Sequence, residues 1–126
     1  MAVHRIRVAK KQANLVKALT MGEETKGTFE TYADVILFAA AYGGNYQRYI
    51  PITSGISQDP APISLEIFLS RGYEWALKLI AIAYTQDKAL LSPYDVQAQA
   101  QRIRLIEGLA NGGLELLEDE LRGAVD

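Results

Sequence analysis

Residues 32–42 read Tyr-Ala-Asp-Val-Ile-Leu-Phe-Ala-Ala-Ala-Tyr, an eleven-residue run whose only charged side chain is Asp34. Thr31 just before it can cap a first helical turn, and Asp34, three residues on, can reach back to complete a capping box. Gly43-Gly44 is expected to end the helix by allowing a left-handed residue. A helix with almost no polar face must be surrounded by protein, so Thr31 to Tyr42 is expected to be the central helix of its fold.

The rest of the chain supplies helices to surround it. From Lys11 to Leu19, Leu15, Val16 and Leu19 fall at helical spacing among lysines, which predicts a short amphipathic helix. Tyr73 to Tyr84 places Ala76, Leu77, Ile80, Ala81 and Tyr84 on one face. Ser92-Pro93 followed by Asp95 carries the cap, first-turn proline and acid of a helix start. That helix turns Val96, Ala100, Ile103, Ile106 and Leu109 inward. Asn111-Gly112-Gly113 is expected to break or kink it, and Leu114, Leu117 and Leu121 form a last short helix.

Between these lie a polar loop, Gly22 to Thr28, and a long connection from Asn45 to Pro62 that contains Pro51, Gly55, Pro60 and Pro62. Ile63 to Leu69 fits either an alternating strand or a helical face, with a short helix favoured. Near the amino end Ile6 and Val8 alternate with Arg5 and Arg7, too briefly to separate a strand from an extended arm. The expectation is an all-α (mainly α) fold: a compact bundle of about five helices in one domain over residues 1–126, with a basic N-terminal arm over about residues 1–10. Val35, Phe38, Leu77, Ile80, Ile103 and Ile106 are expected to meet in its core.

Several chemistries are excluded by composition. The chain has no cysteine and one histidine, His4, so thiol nucleophiles, disulfides and transition-metal cages built on Cys or His lack ligands. No metal or cofactor is expected. A reducing cytoplasm fits the absence of cysteine, and no apolar segment is long enough for a signal core or a membrane span. Glu23-Glu24 and the acids of the last helix have no hydroxyl or imidazole near them in sequence and read as solvated surface. Neither glycine pair follows the strand, loop, helix order of a phosphate loop. No catalytic residue set emerges, and no enzymatic activity is expected.

Two constellations could bind a partner. Arg5, Arg7, Lys10, Lys11 and Lys17 cluster without an acid in the first 17 residues, and could contact phosphates or an acidic surface beside Ile6 and Val8. Tyr46, Arg48 and Tyr49 set two aromatics around a guanidinium in the long connection, the composition of a binding hot spot or a base-stacking platform. Glu115, Glu118, Asp119, Glu120 and Asp126 make the other end acidic, so pairing between copies at low salt, a homo-oligomer, is a further expectation.

Thr28-Phe-Glu-Thr-Tyr-Ala-Asp-Val-Ile-Leu-Phe-Ala-Ala-Ala-Tyr-Gly43, Arg48-Tyr-Ile-Pro51, Ile63 to Phe68 and Leu109-Ala-Asn-Gly-Gly-Leu-Glu-Leu-Leu117 together resemble the DNA phosphorothioation-associated (dnd system-associated) protein 4 family. The resemblance implies a setting in bacterial gene clusters that replace a non-bridging phosphate oxygen of DNA with sulfur, or that restrict DNA lacking the mark. Within that setting the expected role is that of a non-enzymatic accessory protein acting through contact with other phosphorothioation or restriction proteins, with direct DNA contact left open. The resemblance carries over no catalytic residue, and a chain without cysteine is a poor handler of sulfur. The alternative is a stand-alone, sequence-tolerant DNA-binding or regulatory protein that uses the basic amino end.

Overall fold

The computed structural model describes residues 4–22, 27–88 and 95–125. Among these, strand β1 (Arg5–Ile6) leads into a 3-10 turn (Lys10–Gln12) and helix α1 (Ala13–Leu19). Helix α2 (Tyr32–Asn45) follows, then strand β2 (Ile63–Ser64), helix α3 (Leu65–Ser70), helix α4 (Glu74–Thr85) and the long helix α5 (Val96–Val125). The mainly helical bundle expected from the periodicity is the fold observed, with one small antiparallel sheet in which Arg5 pairs with Ser64 and Ile6 with Ile63.

That sheet decides between strand and arm. Arg5–Ile6 is a strand, and the segment after it stays fixed: Ser57 N donates to Val8 O at 2.8 Å and Lys10 N to Gly55 O at 2.8 Å. Ile6 and Val8 point into the core beside Val16, Ile63 and Phe68, so the alternation was a true strand period and the residues do not form a free arm. Ile63 to Leu69 satisfies both of its readings in turn. Its first two residues pair with β1, and Ser64 then caps α3 by accepting from Glu66 N.

α2 starts as the capping box requires, with Thr31 accepting from Asp34 N and Asp34 accepting from Thr31 N. It does not stop at Gly43-Gly44. The helix continues to Asn45, and the left-handed residue beyond it is Gln47, at φ 54°. The two glycines serve a crossing instead. A Cβ on Gly43 would lie 2.1 Å from Leu109 O, and one on Gly113 would lie 1.9 Å from Ala39 O, so α2 and α5 touch backbone to backbone there.

Likewise, Asn111-Gly112-Gly113 does not break the last helix, since α5 runs from Val96 to Val125 as one element. Residues 106–114 are buried without interruption, which makes the middle of α5 the enclosed axis of the fold. α2 was expected there, but Phe38 is 43% exposed, so that helix has an outer face. Val96 is exposed too, which leaves Ile103, Ile106 and Leu109 as the inward set with Val35 and Leu77. Ile80 packs against that core from its edge, and the buried face of α4 also includes Lys78, whose Nζ lies 4.8 Å above the Trp75 ring. Asp95 starts α5 by accepting from Gln97 N at 2.9 Å. The Ser92-Pro93 cap, most of the Gly22 to Thr28 loop and Glu23-Glu24 lie outside the described residues.

Candidate functional site

The five amino-terminal cations have different fates. Arg7 is bound into the fold: its Nε and Nη2 reach the Glu107 carboxylate at 2.9 and 2.6 Å, and its backbone N donates to the same group at 2.8 Å. Glu107 is 3% exposed, and Arg104 Nη1 closes on it at 3.2 Å. The Arg7 guanidinium is pushed above its ordinary pKa, chiefly by the hydrogen bond to Glu107. Lys17 meets Asp59 at 3.4 Å across an exposed surface. Arg5, Lys10 and Lys11 remain, solvent-facing and without an ion pair among the described residues. The apolar patch that Ile6 and Val8 were expected to offer beside them is not on the surface, because both are core.

Tyr46, Arg48 and Tyr49 are not brought together. Arg48 pairs with Glu115 on α5. Tyr49 lies over Gly108 and stacks on Tyr84 at 6.3 Å, beside a depression of about 550 Å³ that Gln101, Arg104 and Leu105 also line. Tyr46 turns the other way, edge-on to Tyr42 at 4.9 Å.

Tyr46 thereby ends a longer feature. Phe38, Tyr42 and Tyr46 recur every fourth residue and so share one face of α2 and its end. With Phe29 they form a row of rings at centroid separations of 5.3, 6.0 and 4.9 Å. The Tyr42 hydroxyl donates to Glu120, and that bond raises its pKa to about 12, with burial a lesser cause.

Beside this row opens the seam between α2 and α4, a depression of about 670 Å³ whose floor includes Leu37, Ala41, Ala76 and Ile80. Phe38 stands on one side and Leu79, 61% exposed, on the other. Its polar end is a closed network around the buried carboxylate of Asp34. Arg71 Nε and Nη2 donate to it at 2.9 and 2.8 Å, Thr31 Oγ1 at 2.9 Å, and the Tyr73 hydroxyl as well. Burial alone would raise the Asp34 pKa, but these donors outweigh it and hold the group below its ordinary range. The network fixes α2, the residue after α3 and the start of α4 relative to one another. It leaves no acceptor lone pair of Asp34 evidently idle, so this carboxylate is suited to shape the seam rather than to move protons.

Sequence reading did not find the seam, although its signals were present. Leu79 lies off the inward face of α4 that Ala76, Leu77, Ile80 and Ala81 define, and Phe38, Tyr42 and Tyr46 have helical spacing. The assumption that α2 was enclosed on all sides hid them.

A family model described as DNA sulphur modification system-associated protein 4 matches residues 5–126. The chain belongs to this family. The membership associates it with a DNA sulphur modification system, as the resemblance implied. None of the curated proteins or solved structures compared matches the chain. The segments that carry the family resemblance build the centre of the fold: residues 28–43 supply the capping box and most of α2, and residues 109–117 supply the glycines at which α5 meets it. Arg48 to Pro51 is the stretch laid on α5, where Ile50 N donates to Gly108 O at 3.0 Å and Asn111 Nδ2 to Ile50 O at 3.0 Å. No helix among the described residues is long and apolar enough to cross a membrane.

Proposed function

We propose that the protein is a non-enzymatic accessory component of a bacterial DNA phosphorothioation system or its linked restriction system, acting by contact with the other proteins of that system. The observation that carries this reading is the α2–α4 seam, where Phe38 and Leu79 stay in water beside a largely apolar floor. Contiguous exposed apolar surface rimmed by polar groups is the usual mark of a protein contact, and buried aromatic anchors dominate the energy of such contacts. A surface whose edge is fixed by the Asp34, Arg71 and Tyr73 network is also preorganised, which lowers the entropic cost of binding.

The reading is tested by co-expressing the tagged protein with the sulphur modification proteins of its own gene cluster. The wild type should retain at least one of them through purification, and Leu79→Asp, at an exposed position, should lose it while remaining folded. Retention of none by the wild type would refute the reading.

A second reading, direct contact with DNA, is favoured by Arg5, Lys10 and Lys11, which have no acidic partner among the described residues. Arg7 is committed to Glu107, so the cationic surface is smaller than the sequence suggested. Phosphate contact through the remaining three would make duplex affinity fall steeply with added salt, by about one power of the salt concentration per contact. Changing Arg5, Lys10 and Lys11 to Glu should remove that dependence. If wild-type affinity does not depend on salt, the DNA reading is lost.

A further inference from the structure

The depression of about 670 Å³ does not end at Ala41 and Ile80. A second one, of about 360 Å³, begins from the same two residues and continues to Asn45 and Tyr84. The two form one trough between α2 and α4. Its floor is low because the residues along it are small: Ala76 in the first part, Gly44 and Ala83 in the second. Along α2 it extends from Asp34 to Asn45, about 17 Å at helical rise, or about three turns of helix.

Both walls are helices whose backbone donors and acceptors are used internally, so an extended peptide laid in the trough would find no ladder to join. A helix satisfies its own backbone and needs only an apolar face to enter. The trough is also polarised. At one end Asp34 and Glu30 set two carboxylates on the single guanidinium of Arg71, at 2.8 and 3.6 Å, and the Glu30 side chain is 74% exposed. The far end, at Asn45 and Tyr84, carries no charge.

We infer that the trough receives one amphipathic α-helix of about three turns from another protein of the modification system. This helix carries apolar residues at i, i+4 and i+7 and a lysine or arginine at the end that meets Glu30. The inference rests on the protein-contact reading above and specifies the partner's docking element. A second copy of this chain is a weaker occupant, because its exposed Ile67, Leu69, Val96 and Leu121 do not fall on one helix at the stated spacing, and Phe38 and Leu79 are the rims of the receptor itself.

The test uses overlapping synthetic peptides, each of about four helical turns, that tile the sulphur modification proteins of the same gene cluster. They are titrated against the full chain by fluorescence anisotropy. Binding should be confined to segments with the stated apolar spacing and a basic end. Leu79→Asp should weaken it by about tenfold or more. Ala41→Trp, which fills the trough from an exposed position, should abolish it with an unchanged thermal melt. Glu30→Lys should weaken binding of the basic peptide and restore it when the basic residue of the peptide is replaced by Glu, a rescue that a general loss of structure cannot give.

Intact modification proteins that bind while no peptide does would overturn the helix inference and leave the accessory role standing. If neither intact proteins nor peptides bind, both fall. Peptide affinity untouched by Ala41→Trp would overturn the inference, as would self-association of the chain that Ala41→Trp relieves.

Discussion

Gly43 and Gly44 are neighbours in sequence and in the same helix, yet their replacement by alanine should change stability in opposite directions. Alanine in a helix interior is favoured over glycine by roughly 0.8–1.0 kcal/mol. At Gly44 the new methyl would find only Leu109 Cδ1 and Ile80 Cγ2, at 3.8 and 3.9 Å, which is ordinary contact. Gly44→Ala should therefore stabilise the fold by about 0.5–1 kcal/mol, reduced somewhat because the helix ends one residue later. At Gly43 the methyl would sit 2.1 Å from Leu109 O and 2.9 Å from Gly113 N, both backbone atoms that no rotamer change can move. A carbon-to-oxygen contact settles near 3.3 Å, so α2 and α5 would have to part by about 1.2 Å. Overpacking of this kind costs about 1–3 kcal/mol, and a rigid obstacle on both sides places it at the upper end. After the helix-propensity gain is subtracted, Gly43→Ala should lose about 2 kcal/mol. Urea unfolding followed by far-ultraviolet circular dichroism measures both variants, and an unchanged m-value would show that the compared states are the same. Stabilisation by both substitutions would mean that α2 and α5 do not cross at these glycines.

Phe68, fully buried, should cost about 3–5 kcal/mol on replacement by alanine, whereas the half-exposed Phe38 should cost about 1 kcal/mol; equal costs in urea unfolding would contradict the placement of α2. Asp34 has a depressed pKa in the folded protein, so its contribution is complete above the unfolded value of about 4 and is lost as pH falls through the folded value. Asp34→Asn should thus lower stability at neutral pH and flatten the acid limb of the stability curve, and an acid limb unchanged in slope would count against the Arg71 and Tyr73 network. In a spectrophotometric titration one tyrosine should ionise only at about 12, and Glu120→Gln should return that titration toward the ordinary range; a late tyrosine that persists in this variant would not be Tyr42.

The helices, their order and most of the inward residues were legible because burial imposes a period on the sequence that needs no knowledge of neighbours. The capping box at Thr31 and Asp34 was legible for a similar reason, being closed within one turn. Less legible was what depends on the element packed opposite. Gly43, Gly112 and Gly113 look the same in sequence whether they end a helix or admit another backbone, and only the approach of Leu109 O, Arg48 O and Ala39 O shows which. Asn111 helped to disguise the most enclosed part of α5 as a break, since its partner Ile50 lies far away in the chain. The same distance hid the commitment of Arg7, which composition alone counted among the free cations. The seam was missed from the opposite error, because an apolar outer face on α2 has the same sequence as an enclosed one.

The central claim, that this family member acts through protein contacts made at the α2–α4 seam, is tested most directly inside the cell. A photo-crosslinking amino acid is placed at position 79 on the seam and, in a second strain, at position 10 among the exposed cations, with the sulphur modification genes intact. Mass spectrometry of the adducts should show a modification or restriction protein joined at position 79 and little protein joined at position 10. Adducts to DNA or protein at position 10 together with none at position 79 would contradict the claim and move the working surface to the basic amino end.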